Sequence, residues 1–397
     1  MLLSARVQKI KPSATLAIES KAKALKAQGI DVISFGAGEP DCDTPHNVKD
    51  AAQRAIAAGF TKYCPVTGTP ELKAAIITKF QRDNGLAYTP EEIIVSCGAK
   101  HSLYNLFQAV LGKGDELIIP APYWVSYPDM ALLADAKPRI IMTKERDGFK
   151  MTPEQLSKAI GKKTKAVVIN SPSNPTGSAY TTEELKKLAA ICVERGILII
   201  ADDIYEKLVY DDFSAATIAA TIPEAKNMTV VVNGVSKSYA MTGWRIGYAA
   251  GPREIITAMG NIQSQSTSNP ASISLKAATE ALTGSQDSVE HMRKEFMKRR
   301  DYIVTRLNSI AGVRCIKPQG AFYVFPNVKK LLGKTYDGTH ITTSIGLAEY
   351  LLEKAQIATV PGEPFGAPGY LRLSYATSLS NIEVGLDRLQ KALAPHT

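Results

Sequence analysis

The sequence contains no apolar run long enough to cross a bilayer: its longest stretches, such as residues 197–201, fall far short of the roughly 20 residues that a spanning helix requires. No membrane association is therefore expected. Cysteine is scarce too. The five cysteines (Cys42, Cys64, Cys97, Cys192 and Cys315) are odd in number, scattered, and never in a Cys-x-x-Cys pair, which argues against a disulfide framework and structural zinc. The opening Met-Leu-Leu-Ser-Ala-Arg has neither the apolar core nor the cleavage site of a secretion signal, so a cytoplasmic setting is expected. Low-complexity segments and internal repeats are absent, and 28 glycines and 22 prolines are ordinary for this length, which leaves no sign of disorder or of a solenoid. Acidic residues (38) are outnumbered by basic ones (47), for a net charge of +9. The basic residues are dispersed rather than gathered in a stripe with interleaved aromatics, so nucleic acid is not an expected partner. The densest basic run, 293–300, includes an acid and two apolar residues at helical spacing and reads as a solvated helix face.

With 397 residues, 45% of them hydrophobic, the chain can bury a large core. Between about residues 90 and 250, β-rich runs at 93–95, 116–119, 139–142, 166–169, 197–201 and 229–232 alternate with amphipathic segments, the pattern of a parallel sheet covered by helices. One helix is plain: Leu185, Leu188, Ala189 and Cys192 share a face, Thr182 is placed to cap its start, and Gly196 stands where it should end. The flanks read as a smaller α+β unit. A long charged helix after residue 290 leads to short β runs at 321–325, 357–360 and 370–375 and a helix through 348–354. The expected division is an N-terminal segment, 1–45, packing with the small domain, a large domain, 46–289, and a small C-terminal domain, 290–397.

The polar residues that invite chemistry stand at strand ends. Lys237 and Arg245 follow the 229–232 strand; a lysine held there among small residues is desolvated and nucleophilic, and Arg245 has the fork geometry that grips a phosphate. Asp202 and Asp203 close the 197–201 strand, with Tyr205 just beyond; a carboxylate there suits a protonated ring nitrogen, although Asp is also an ordinary helix cap. Gly98, Ala99 and Lys100 open a helix after the 93–95 strand, where free N–H groups make an anion site or merely a tight turn. Asn174 lies in the rigid turn Asn-Pro-Thr-Gly, and Trp124, one of two tryptophans, offers a face for stacking or a core contact. Arg372 interrupts an apolar strand, which calls for an anion, either a ligand's or a protein carboxylate's.

Taken together, Gly-Val-Ser-Lys237 through Met-Thr-Gly-Trp-Arg245, Asp202-x-x-Tyr205, Asn174-Pro-Thr-Gly, Gly98-Ala99-Lys100 and Arg372 resemble class I pyridoxal-phosphate-dependent aminotransferases of fold type I. The likeness runs from about residue 11 to 376. Within them Lys-Pro-Ser-Ala-Thr, Gly-Glu-Pro-Asp and Tyr-Trp-Val-Ser-Tyr-Pro resemble the beta branch of the aspartate aminotransferases, which use aspartate and glutamate and in some cases prephenate. The resemblance implies an α/β large domain with a mostly parallel seven-stranded sheet, a smaller α+β domain, pyridoxal 5'-phosphate as cofactor, amino acids and 2-oxo acids as substrates, ping-pong turnover, and a homodimer. It implies that Lys237 forms a Schiff base with the cofactor and shuttles the proton, and that Asp202 rather than Asp203 pairs with the ring nitrogen. Tyr205 and Asn174 would bond the 3' oxygen, and Trp124 would stack on the ring. Gly98, Ala99, Lys100, Ser236, Arg245 and, from the neighbouring subunit, Tyr63 would hold the phosphate. Arg372 would clamp the substrate's α-carboxylate beneath the Gly38 loop, with Trp124 and Asn174 beside it. Lys100 would meet the distal carboxylate, and Lys11 would accompany prephenate use.

Two departures stand out. Gly234 takes the place of a phosphate-binding serine in many relatives, and the 263–269 segment lacks the arginine that binds the distal carboxylate in the animal-type branch. Neighbouring activities on the same fold, an aromatic or alanine aminotransferase or a β-lyase, stay open. A cofactor-binding transcriptional regulator needs a DNA-binding segment before the Lys-Pro-Ser-Ala-Thr motif, and ten residues precede Lys11.

Overall fold

The computed structural model describes residues 3–10, 12 and 14–394. From the N-terminus the chain forms α1 (Ala14–Ala27), β1 (Ile33–Ser34), α2 (His46–Ala57), α3 (Pro70–Asn84), β2 (Ile93–Ser96), α4 (Ala99–Val110), β3 (Glu116–Ala121), α5 (Ser126–Leu133) and β4 (Lys137–Met142). It continues through α6 (Pro153–Ala159), β5 (Thr164–Asn170), α7 (Thr182–Arg195), β6 (Leu198–Asp202), β7 (Thr229–Gly234), β8 (Gly247–Ala250), α8 (Arg253–Ser264) and α9 (Ser272–Thr283). The last elements are α10 (Asp287–Asn308), β9 (Tyr323–Val324), β10 (Lys334–Tyr336), β11 (Thr339–Ile341), α11 (Ser344–Ala355), β12 (Ile357–Ala358), β13 (Val360–Pro361), β14 (Leu371–Ser374) and α12 (Leu379–Ala392). Among the described residues no helix is long and apolar enough to cross a membrane.

Seven strands make the main sheet, in the order β2-β8-β7-β6-β5-β3-β4. Pairs from β7 to β4 are parallel, while β8 runs antiparallel to both its neighbours. Six of the seven strands stand out in the sequence; β8 does not, because Gly-Tyr-Ala-Ala has little β propensity and forms a strand only by filling the slot between β2 and β7. Alternation along β5 feeds two cores: Val167 and Ile169 pack on one face, Ala166 and Val168 on the other. In register, Asn170 lies opposite Asp202, and Asp202 opposite Val232, so polar strand ends finish at one level along one edge.

Helix α7 buries the expected face, but its cap is Thr181 rather than Thr182. The Thr181 hydroxyl accepts from the Glu184 amide while the Glu184 carboxylate accepts from the Thr181 amide, a reciprocal box that requires a Glu three residues after the cap; Gly196 ends the helix in the left-handed region at φ 64°. The basic run on α10 also departs from expectation. Lys294 and Lys298 do face solvent, but Arg300 falls on the apolar stripe with Phe296 and Ile303 and is fully buried, held by Asp211 (2.9 Å), Asp301 and the Pro318 carbonyl (3.2 Å). Neighbouring carboxylates make that burial tolerable.

Beyond α10 a three-stranded antiparallel sheet, β13-β14-β9, carries Arg372 opposite Val360. Strand β1 pairs in parallel with β12, and Ala22 and Val32 pack with Leu352 and Ala358, which fixes the N-terminal stretch against C-terminal elements.

Candidate active site

Where the polar ends of the parallel strands face β14 and α1, a cavity of ≈ 420 Å³ opens. Eleven of the residues singled out from the sequence line it together: Gly38, Ala99, Lys100, Trp124, Asn174, Asp202, Tyr205, Ser236, Lys237, Arg245 and Arg372. Gly98 sits at its edge as the N-cap of α4. Tyr63 stands apart, 93% exposed on the chain's surface. Lys11 lies outside the described residues.

One end of the cavity is built for an anion. No side chain caps α4, so its first amides remain available, and Gly98 adopts φ 89°. The Arg245 guanidinium, donating to the carbonyls of Thr242 (2.7 Å) and Cys97 (3.3 Å), lies so close to Gly98 that a Cβ there would collide with it. Space is tight at Gly234. Gly234 pairs with Gly247, and a Cβ on Gly234 would come within 3.0 Å of the Gly247 Cα and the Ile246 carbonyl, while Gly247 itself packs directly on Ala99. Bare backbone at both positions lets the start of α4 sit on the sheet, so Ser236, Arg245 and amides are what this end offers.

The other end is anionic. Asp202 is 4% exposed, accepts from the Tyr127 hydroxyl (2.6 Å) and the Ile204 amide (3.4 Å), and among the described residues has no cation bonded to it. Burial pushes its pKa up to about 6, against the opposing pull of the Tyr127 bond, the Ile204 amide and the Lys237 charge. Asp203 is just as buried but does not line the cavity; it lies by Thr217, and burial together with Glu206 holds its carboxyl well above the usual range. Tyr205 bonds Tyr323 hydroxyl to hydroxyl (2.9 Å).

Between the two ends, Lys237 Nζ donates to the Gly38 carbonyl (2.6 Å). Burial lowers its pKa to about 8, opposed by Glu39 and assisted by Arg245, Arg372 and Lys100. The ammonium therefore persists below about pH 8 and the free amine above it. In cofactor-free protein, modification of Lys237 by an amine-reactive reagent, followed by peptide mass analysis, should reach half its limiting rate near pH 8; a midpoint above about pH 10, the range of an ordinary lysine, would contradict this environment.

Arg372 is 1% exposed, with its guanidinium over the rings of Tyr323 (4.6 Å) and Phe365 (5.3 Å). It donates to neutral oxygens, Asn174 Oδ1 (3.1 Å) and the Gly36 carbonyl (2.7 Å), and among the described residues its Nε has no acceptor. The alternative of a partner carboxylate from the protein is thus not realised in these bonds. Lys100, toward the cavity mouth, holds its Nζ 4.9 Å from the centre of the Trp124 ring; burial and Arg245 lower its pKa.

Three contributors were not singled out in the sequence. Tyr127 fixes Asp202 and meets Trp124 edge to face (5.2 Å, 80°); in the sequence it stood inside the Tyr-Trp-Val-Ser-Tyr-Pro motif with no role attached to it. Tyr323 looked like one more apolar strand residue. Asn170 bonds the Asp202 carbonyl (2.8 Å) and accepts from the Asn174 amide (2.9 Å), joining two strand ends, which requires the register to be known.

The donor set fits pyridoxal phosphate. Free amides and Arg245 suit a phosphate, a buried carboxylate without a bonded cation suits a protonated ring nitrogen, Trp124 offers an aromatic face, and a lysine with a depressed pKa lies between them.

The seven-stranded sheet, the smaller domain and the match to solved aspartate aminotransferases make this an α/β transferase of fold type I, the class that binds pyridoxal phosphate. Residues 30–389 match the family model "Aminotransferase class I and II". An aspartate aminotransferase of Geobacillus stearothermophilus is 54% identical over 98% of both chains, and an aspartate/prephenate aminotransferase of Nitrosomonas europaea is 51% identical over 99% of this chain and 100% of the other. The crystal structure of the aspartate aminotransferase of Rhizobium meliloti superposes with a TM-score of 0.96 at 47% identity, covering 99% of each chain. The chain belongs to the class I and II aminotransferases, in the beta branch of the aspartate aminotransferase family.

Proposed function

We propose that this protein is a pyridoxal-5'-phosphate-dependent aspartate aminotransferase, moving amino groups between aspartate or glutamate and 2-oxo acids with ping-pong kinetics. The observation that carries this reading is the pairing, in one cavity, of Lys237 with a buried Arg372 whose Nε has no acceptor among the described residues. When bound, pyridoxal phosphate supplies the electron sink for the pair of electrons left behind by α-proton loss. The protein's own residues do the rest. The start of α4, Ser236 and Arg245 hold the phosphate, Asp202, fixed by Tyr127, keeps the ring nitrogen protonated, and Tyr205 and Asn174 hold the 3' oxygen. Arg372 with Asn174 clamps the α-carboxylate under the Gly38 loop, and this orients the α C–H toward Lys237, whose Nζ takes the proton as a free amine. Yellow protein that bleaches on addition of glutamate, with 2-oxoglutarate as the product, is the expected result; release of ammonia or pyruvate from a β-substituted substrate would indicate a lyase instead.

The relatives named above support aspartate as donor, and the Nitrosomonas europaea enzyme adds prephenate as a second reading. The distal carboxylate of an acidic substrate needs a cation, since a buried unpaired carboxylate is strongly disfavoured. Lys100 lines the cavity and is assigned that role, and Lys11 the more distant carboxylate of prephenate. Lys100→Ala should lower kcat/KM for aspartate and glutamate by about 10- to 100-fold, the size of a lost charged hydrogen bond. Lys11→Ala should mainly affect prephenate. Measuring kcat/KM for prephenate and oxaloacetate in both variants checks the pair: an unchanged ratio in Lys11→Ala, or a parent inert toward prephenate, removes the Lys11 assignment.

The same reading includes a cytoplasmic homodimer in which the exposed Tyr63 reaches the partner's phosphate site, and a division into a large domain, 46–289, and a small one, 290–397, with the segment 1–45 packing against the small one.

A further inference from the structure

Behind the cavity lies a buried polar network that the chemistry above does not use. Lys79, on α3, is 2% exposed; its ammonium pairs with Glu206 Oε1 and donates to Asn84 Oδ1 (2.8 Å). Glu206 also accepts from Asn84 Nδ2 (3.0 Å) and from Asn233 Nδ2 (2.8 Å). Asn233, itself 2% exposed, accepts the Gly234 amide (2.7 Å) through its own Oδ1. A second pair, Lys207 with Asp83 (2.8 Å), ties the same end of α3 to the next residue of the chain.

The chain positions give this network its meaning. Glu206 directly follows Tyr205, and Asn233 lies near the end of β7, the strand that leads into Lys237. The backbones of these two segments are bonded where the Asp203 amide meets the Val232 carbonyl (2.9 Å); past that point the Glu206–Asn233 bond carries the link onward. A buried ion pair contributes little net stability, because desolvation offsets its attraction, whereas fully satisfied polar groups accept only one arrangement.

We propose that Lys79, Glu206 and Asn233 are positioning residues, a brace that sets the Tyr205 and Lys237 segments against each other and so fixes where the Lys237 amine stands in the cavity. The inference rests on the functional reading above. A rigid clamp from α3 holds Glu206, Glu206 holds Asn233, and Asn233 holds the turn from which Lys237 projects. Loss of the brace lets the amine drift from the α C–H, and small misplacements of this kind are costly to catalysis without touching substrate binding.

Two variants test it. Asn233→Ala cuts the tie to the Lys237 strand while leaving the ion pair in place, and Lys79→Met combined with Glu206→Gln replaces both charges with neutral groups of similar size. In the holoenzyme each is expected to lower kcat by about 10- to 100-fold with the KM for aspartate little changed, since Arg372 and Lys100 are untouched. In cofactor-free protein the pH midpoint of Lys237 modification should move by more than about half a unit, as expected when its surroundings change. A folded variant with the parental midpoint overturns the proposal whatever its kcat, and a lower melting temperature with parental kcat and midpoint reduces the network to a structural staple. Should the double variant fail to fold, Asn233→Ala decides alone. A parent enzyme without transaminase activity would sink the functional reading instead, and the midpoint would still test the brace.

Discussion

Lys237→Ala is expected to abolish transamination, lowering kcat by more than about 10⁴-fold, because it removes both the nucleophile and the base. The fold should survive, since among the described residues the side chain's hydrogen bond is the one to the Gly38 carbonyl. A stability measurement on cofactor-free protein gives a second, independent signature. Burial lowers the folded-state pKa of Lys237 from 10.5 to about 8. Between those two values the unfolded chain holds a proton that the folded one has released, so this residue makes stability rise with pH across that window; below it both states are protonated and the burial penalty is present in full. Denaturant titrations of parent and variant at several pH values should therefore diverge in slope between about pH 8 and 10.5, the parent gaining stability relative to Lys237→Ala. Full turnover in the variant would remove the central claim, and parallel stability profiles would show that the amine is not desolvated.

Arg372→Leu should lower kcat/KM for every amino acid substrate, by about 30-fold to several thousand-fold, the equivalent of the roughly 2–5 kcal/mol that truncating a buried charged partner costs. A guanidinium that is 1% exposed, faced by two aromatic rings and bonded to neutral oxygens, is a buried cation without a counter-charge in those bonds. Burial depresses even its pKa. A substrate α-carboxylate supplies what it lacks, and since all amino acids carry that group, the loss should be uniform. Leucine suits the test because it removes the charge while leaving an apolar side chain on a buried strand. An effect confined to aspartate and glutamate would mean that Arg372 meets the distal carboxylate, and no effect would assign it to structure alone.

Strand ends were the most legible part of the sequence. Runs such as Val230–Val231–Val232 and Ile199–Ile200 announce buried parallel strands by composition, and a lysine, an aspartate or an asparagine just beyond such a run has only the sheet edge to occupy. Strand β8 was hidden because its residues do not favour a strand on their own, and Arg300 was misread because a basic residue on an apolar stripe looks solvated until Asp211, from a distant loop, is brought beside it. Neither Tyr127 nor Tyr323 could be given a role from sequence, since an aromatic in an apolar context reads as core, and their hydroxyl partners come from residues 75 and 118 positions away.

Six strands of the main sheet, the chemical types at their ends and membership of a family were legible in the chain, because propensity, periodicity and motif spacing are local properties. The tertiary structure was needed to see that Asp203 turns away from the cavity, that Gly234 lies tightly against Gly247, that Arg372 bonds neutral oxygens, and that Lys79, Glu206 and Asn233 form one network. Each of these depends on which side of a backbone a group leaves and on what a distant segment sets opposite it, and burial, which shifts the pKa values of Lys237 and Asp202, exists only once those segments have met.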